Sequence, residues 1–440
     1  MTVAMRIFLW FWSALWTLGL PVILWYLWRR GRRDAVYFSK LKERFGFHER
    51  PMIGAIWVHA VSLGELRSAV PLIQKLLKRG EYVVTTHFTP AGRIEAERVF
   101  ASEIDAGQMQ AVWVPLETAW AYRGFFRAFQ PVLGLVMEIE IWPRMVFASK
   151  AVGIPLLMCN AQYPLDSLKR DSRGLRLRQQ VMGGFAGALV KSDLQADRFH
   201  AVGVSNIAVT GELRFDQPVP QDLVAAGLAA RSWIGASARR VICIASAIEG
   251  EDPIYLHAIK ALREHYFAKG LPIPLFVYVP RRPERFTTVA SLLIAQGLST
   301  LRRSELKGSF NPDIWTQHNC PDIFLGDSLG EMYGYLSMSD EVIVGGGFNP
   351  RGAHNISEAL VLGKSVVTGP YVQTIEYPFI EAEAAGAAVK VHDAQELAQH
   401  LISQERPSPA AISSFVAAHS NATYRTLKAI PQLLASVRSS

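Results

Sequence analysis

Two carboxylates two residues apart close an apolar run in the stretch Met137–Pro143, where Glu138 and Glu140 fall on one face of an extended segment. They can help hold an acceptor, or pair structurally with Arg67 or Arg144. A third carboxylate, Glu65, ends the stretch His59-Ala-Val-Ser-Leu-Gly-Glu65 after another strand-like run. Ser62 or Gly64 can start a helix there, with Glu65 in its first turn. A carboxylate so placed is held in charged form by the helix dipole and serves better as a base than as an acid. The plainer alternative is a glutamate that only complements the dipole, with His59 a satisfied histidine at a strand end.

Cationic and glycine-rich stretches supply a second chemistry. Pro280-Arg281-Arg282-Pro283-Glu284-Arg285 places arginines after a strand, where bidentate contacts suit a phosphate or carboxylate. Ser246–Glu251 looks like a helix N-cap, and Gly326–Met332, which contains Gly330 and Glu331, enters a helix from a strand. Val342–Pro370 reads as a βαβ unit: a strand at Val342–Val344, a turn at Gly345–Gly347, a helix from about Asn355, and a strand at Ser365–Thr368. Asn355 is the expected N-cap, and Glu358 stands three residues on, as in a capping box. A nucleotide phosphate at that helix start, with Glu358 on a ribose hydroxyl, is one reading; an ordinary capped βα turn is the other.

Strand ends must position these residues. Strand-like runs fall at Ala55–His59, Tyr82–Thr86, Ala111–Val114, Val132–Met137, Pro155–Cys159, Ala188–Lys191 and Ile207–Thr210, with helical patterns between them. A second series runs Val241–Ala245, Leu275–Val279, Asp322–Leu325, Glu341–Val344, Ser365–Thr368 and Ala387–Lys390. This alternation predicts two α/β domains with doubly wound, mostly parallel sheets, whose ligands sit at the carboxyl ends of the strands, facing a common cleft. The expected organisation is a membrane anchor at 1–28, a first domain at 29–216, a linker at 217–235 with Pro218 and Pro220, a second domain at 236–406, and C-terminal helices at 407–440 packing across the domain boundary.

Ile7–Trp28 carries no charge over 22 residues, enough to cross a hydrocarbon core of about 30 Å as one helix. Trp10 and Trp12 at one end and Trp25, Tyr26 and Trp28 at the other resemble interfacial belts. Arg29, Arg30, Arg32 and Arg33 then put the rest of the chain in the cytoplasm. The region after Arg6 lacks a cleavage site, which argues against a signal peptide. The 440 residues carry a net charge of +8, which favours an anionic partner. Behind an anchor, that partner is the anionic inner-membrane surface and its lipids, with no nucleic acid expected. Cys159, Cys243 and Cys320 are too scattered for a disulfide framework or a zinc site.

Taken in order, Glu43–Gly46, His59–Glu65, Thr85–Gly92, Met137–Pro143, Asn160–Ala161, Gly211–Asp216, Pro280–Phe286, Gly326–Met332 and Gly345–Ala359 resemble the motifs of the 3-deoxy-D-manno-octulosonic acid (Kdo) transferases of lipopolysaccharide synthesis. That resemblance covers nearly the whole chain. It implies a GT-B glycosyltransferase fold of two Rossmann-like domains behind one transmembrane helix. It also implies inverting, metal-independent transfer of Kdo from CMP-Kdo to an acylated, doubly phosphorylated lipid A precursor, with no cofactor. Glu65 then resembles the general base. Glu138 or Glu140, with Arg214, resembles the groups that stabilise the transition state. Pro280, Arg281, Gly330, Glu331, Met332, Asn355, Ile356, Ser357 and Glu358 resemble the CMP-binding segments. The chain departs from the family pattern at Arg214, usually Lys, at Ile248 and Arg282, usually His, and at Arg144 and Gln162. These departures bear more on the acceptor than on the donor. The competing expectations are a GT-B enzyme with another activated sugar or lipid acceptor, and a non-catalytic, membrane-anchored nucleotide-binding protein.

Overall fold

The structure, a computed structural model, describes residues 3–32, 34–171, 176–315 and 320–438. Its contacts divide the chain into two units, Met1–Gln217 with Ser420–Ser440, and Pro218–His419.

The first unit is built on a seven-stranded sheet with order β3-β2-β1-β4-β5-β6-β7, parallel throughout. The strands are β1 Ile56–His59, β2 Val83–His87, β3 Met109–Trp113, β4 Leu133–Met137, β5 Leu156–Ala161, β6 Gly187–Val190 and β7 Ile207–Val209. They are short and almost wholly buried because helices cover both faces of a parallel sheet. One core lies on each face. Trp57, Phe125, Phe129, Val136 and Met158 mark one, and Leu66, Leu72, Ile73, Leu135 and Leu157 the other. The strand order reverses between β1 and β4, so the crevice beyond His59 and Met137 is the natural ligand position.

The second unit has the same architecture, with order β10-β11-β9-β8-β12-β13-β14. Its strands are β8 Val241–Ala247, β9 Leu275–Pro280, β10 Thr300–Arg302, β11 Ile323–Leu325, β12 Glu341–Val344, β13 Ser365–Thr368 and β14 Ala388–Lys390. Here the order reverses between β8 and β12, which end beside Ser246–Glu251 and Gly345–Gly347. Each sheet carries a register shift near a strand end, at Asn160 (φ 54°) and Ser246 (φ 61°). Such bulges re-aim the residues that follow.

Three expectations change. The apolar N-terminus is two helices, α1 Val3–Leu18 and α2 Leu20–Gly31, bent by 52° at Gly19. Pro21 at the start of α2 cannot donate to a preceding turn, and Gly19 tolerates the break. At 1.5 Å per residue the two reach only about 24 and 18 Å, so no single helix is long and apolar enough to span a membrane. Arg33 of the flanking basic run lies outside the described residues.

The stretch read as a linker is in fact the helix Gln221–Trp233 of the second unit. Its alanines are strong helix formers. Gly227 packs so closely that a Cβ would stand 2.3 Å from the Gly334 carbonyl, and Arg231 pairs with Asp340 at 2.6 Å. At the C-terminus, Pro409–His419 stays with the second unit, where Tyr377 bonds His419 at 2.7 Å. The helix Ala422–Arg438 belongs to the first, with Leu427 and Ile430 in its core and Asp216 accepting the N–H groups of Asn421 and Thr423.

Candidate functional site

In the first unit Glu65 stands at the switch point. Helix α3, Leu63–Lys78, starts at Ser62 because its side chain accepts the Glu65 N–H. Apolar residues at three- and four-residue spacing, Leu66, Ala69, Val70 and Ile73, then bury one face of α3. The Glu65 carboxylate accepts the Val61 N–H at 2.9 Å and the Ser62 hydroxyl at 2.7 Å, and it is only 8% exposed. Burial pushes its pKa up to about 7, and the charges of Glu138 and Glu140 add to the rise, against those two hydrogen bonds. The dipole was expected to hold Glu65 charged; desolvation and two like charges outweigh it. The outcome is a carboxyl that exchanges its proton near neutrality.

Glu138 and Glu140 find neither of the partners considered from sequence. Arg67 pairs with Glu95, and Arg144 donates to the Leu9 carbonyl and the Ser13 hydroxyl. Glu138, at φ 55°, instead meets Arg214 at 3.3 Å, and Glu140 accepts the Trp142 indole N–H at 2.7 Å. Arg214 also donates to Ser68, one helical turn beyond Glu65. The four residues predicted for this site therefore gather at the ends of β1, β4 and β7.

A buried group that sequence reading missed holds them there. Glu212, 1% exposed, binds Lys191 at 2.8 Å and accepts from Asn160 at 2.8 Å, while Lys191 reaches Gln162 at 3.4 Å and Glu138 at 4.0 Å. Burial would raise the Glu212 pKa, but the charges of Lys191 and Arg214 hold it down to about 2. A lysine closing β6 and a glutamate closing β7 were the available clues. His59 and His87 are buried and pushed down to about 3 by desolvation, hence neutral. His59 Nδ1 bonds Thr86 at 2.8 Å, and its Nε2 has no partner among the described residues.

In the second unit Pro280 ends β9 inside the sheet, and Arg281 follows it exposed, its N–H donating to the Ala247 carbonyl at 2.9 Å. Arg281 and Arg282 face His354. Burial and these two charges push that histidine down to about 4, so it is neutral at pH 7. His354 Nε2 and the buried Ser357 Oγ lack partners among the described residues. Asn355 accepts the Ser357 N–H at 3.0 Å, and Glu358 lies near enough to Tyr333 to raise its pKa. Gly330 has φ +82° with open space where a side chain would stand, and Met332 starts the following helix. Glu331 is tied down by Arg303 at 2.8 Å and by Ser328.

The helix after the glycine turn is short, Ser357–Val361, and starts two residues later than the sequence reading placed it, while the Asn355 side chain still accepts the N–H of its first residue at 3.0 Å. The glycines serve close approach of the protein's own backbone. A Cβ on Gly345 would stand 2.5 Å from the Ser246 carbonyl, and one on Gly346 2.4 Å from that of Gly352. The N–H groups of Gly346 and Phe348 are taken by the buried Glu251 at 2.9 and 3.0 Å.

Residues 39–217 match the family model described as 3-deoxy-D-manno-octulosonic-acid transferase (kdotransferase). The 3-deoxy-D-manno-octulosonic acid transferase of Bordetella pertussis is 37% identical over 94% of this chain and 97% of its own length. That of Haemophilus influenzae is 30% identical over 84% of this chain and 83% of its own. Among solved structures, the UDP-GlcNAc 2-epimerase of Neisseria meningitidis matches with a TM-score of 0.55 at 16% identity, covering 87% of this chain and 100% of the other. A glycosyltransferase from Rickettsia africae matches with a TM-score of 0.55 at 13% identity, covering 88% and 99%. At such identities these two carry the fold alone: two parallel-sheet α/β domains like those of GT-B glycosyltransferases.

Proposed function

This chain belongs to the Kdo transferase family of glycosyltransferases, and from that premise we propose that it moves Kdo from CMP-Kdo to an acylated, phosphorylated lipid A precursor with inversion at the anomeric carbon. Glu65 is the general base. As the acceptor hydroxyl oxygen forms its bond to the anomeric carbon, Glu65 takes the hydroxyl proton. The bond from that carbon to the phosphate oxygen breaks, and CMP leaves with the electron pair. Arg214, held between Ser68 and Glu138, offsets charge near the reacting centre.

The second unit binds the donor. Arg281, at the end of β9, binds phosphate, and His354 Nε2 and Ser357 Oγ, without partners among the described residues, supply polar contacts beside it. Pro280, Gly330, Glu331, Met332, Asn355, Ile356 and Glu358 shape the surrounding walls. Guanidinium charge on the departing phosphate does what a metal ion would otherwise do, so the reaction runs without one. The bent helix pair holds the enzyme on the cytoplasmic face of the inner membrane. Trp10, Phe11, Leu15, Leu18, Val22 and Trp28 are exposed along it, a surface suited to lipid.

The observation that carries this reading is the 37% identity to the Bordetella pertussis Kdo transferase over 94% of the chain, with Glu65 buried at the switch point where the charges of Glu138 and Glu140 reach it. The test is transfer of radiolabel from CMP-Kdo to a tetra-acylated lipid A precursor in EDTA. Folded protein that gives no product with any such acceptor overturns it.

A further inference from the structure

Arg214 carries its charge at the end of a long, flexible side chain that is 26% exposed. Contacts to Ser68 at 2.9 Å and Glu138 at 3.3 Å aim the guanidinium, but they hold it only as well as its own backbone is held. That backbone is a single turn, Leu213–Asp216, just after β7. Leu213 and Phe215, on either side of Arg214, are buried and pin the turn on its apolar side. The Leu213 N–H donates to the Asn160 side chain at 3.0 Å, which ties the start of the turn to the bulge in β5.

The end of the turn is held from far along the chain. Asp216 accepts the N–H groups of Asn421 and Thr423 at 2.6 Å each, so the helix Ala422–Arg438 takes acceptors for its first turn from a residue 205 positions before Asn421. A carboxylate there also suits the positive end of the helix dipole. The helix grips the same segment a second time. Arg425 donates from Nε to the Thr210 carbonyl at 3.0 Å, and its guanidinium lies so close over Gly211 that a Cβ there would stand 2.7 Å from it. Leu427 and Ile430 seat the helix in the core that also holds Leu66 and Ala69 of α3, the helix that carries Glu65 and Ser68. One helix therefore references the turn of Arg214 to the helix of the general base.

We propose that Asp216 is a positioning residue for the transfer: by binding the start of the C-terminal helix it fixes the turn that aims Arg214 between Ser68 and Glu138. The proposal rests on the role given to Arg214 above. It makes the helix Ala422–Arg438 a support of the reacting centre as well as a part of the core. A carboxylate that did nothing but cap this helix would lower stability whether or not Arg214 was present; a positioning residue loses its effect on turnover once Arg214 is gone.

The experiment is a double-mutant cycle on full-length protein in detergent, with kcat and KM for CMP-Kdo and a tetra-acylated lipid A precursor, CMP affinity by calorimetry, and Tm. Asp216→Ala should lower kcat about 10²-fold, the cost of misplacing a group by about 1 Å, and leave CMP affinity and the KM for CMP-Kdo as they are. Asp216→Asn, which keeps one acceptor oxygen, should restore part of the loss. Arg214→Ala should lower kcat at least as far, and adding Asp216→Ala to it should cost less than about twofold more. If Asp216→Ala fails to fold, Arg425→Gln loosens the same segment at Thr210, and its loss of kcat should likewise vanish in the Arg214→Ala background. Losses that multiply in the double variant, or wild-type kcat in a folded Asp216→Ala or Arg425→Gln enzyme, overturn the proposal while the transferase reading stands. Wild-type protein that transfers nothing from CMP-Kdo sinks that reading and this role with it.

Discussion

Glu251 accepts the backbone N–H of Gly346 at 2.9 Å across the switch point of the second sheet. The same carboxylate takes the N–H groups of Phe348 and Ile248 at 3.0 and 3.1 Å, so one buried side chain joins the loops after β8 and β12. Glu251→Ala would leave these N–H groups without their acceptor, at about 1–3 kcal/mol for each that stays buried. The expected result is a lower Tm together with weaker CMP binding by calorimetry. A lower Tm with unchanged CMP affinity would confine Glu251 to structure.

Glu65 acts as a base only when deprotonated. With a pKa near 7, kcat/KM should be flat above pH 8 and fall about tenfold per unit as pH drops below 7. Glu65→Gln should lower transfer by about 10²–10⁴-fold without unfolding the protein. A pH profile unchanged in a still-active Gln variant would remove Glu65 from the mechanism.

Glu212 has the opposite linkage. Its folded pKa, held down to about 2, lies below the ordinary glutamate value near 4.5. Its contribution to stability is therefore present above about pH 4.5 and is lost as pH falls towards 2. Glu212→Ala strands Lys191 in the interior, and about 3–5 kcal/mol of stability should go with it. Urea unfolding at pH 7 and pH 3 should show the difference between variant and parent shrinking at the lower pH.

Arg281→Ala removes a charge that both depresses His354 and, on our reading, binds the donor phosphate. CMP affinity should drop about 10- to 150-fold, as loss of a charged hydrogen bond implies. The His354 pKa, followed by NMR, should rise from about 4. A histidine that moves while CMP affinity stays would show that Arg281 is not a phosphate ligand.

Deleting residues 1–32 removes the bent pair and leaves Glu117 without the Trp12 indole. Flotation with anionic vesicles should fall sharply, and the remaining protein should melt at a lower temperature. Flotation that survives the deletion would move the membrane surface elsewhere on the molecule.

The alternation of short apolar runs with helical patterns was legible because a parallel sheet buries both faces of every strand. All seven runs read in the first series became strands of its sheet, and so did the six read in the second. The short β10 went unread, since three residues with arginine at one end carry little periodicity. The N-terminal pair was misread as one span because hydropathy counts apolar residues and does not weigh a Gly19–Pro21 break. The glycine turn stayed open between two readings, because a glycine that admits a ligand looks the same in sequence as one that admits a neighbouring carbonyl.

The sequence by itself determined which side chains stand at strand ends, since side-chain alternation and turn chemistry are local. It therefore named Glu65, Glu138, Glu140 and Arg281, and its ordered motifs named the family and, through that resemblance, Arg214. Which charges meet was decided only by the tertiary structure. The Arg214–Glu138 pair joins residues 76 positions apart, and the Glu212–Lys191 pair joins the ends of adjacent strands. Desolvation, which lifts Glu65 to about 7, is likewise a property of packing, because it depends on what surrounds a carboxylate and not on which residues precede it.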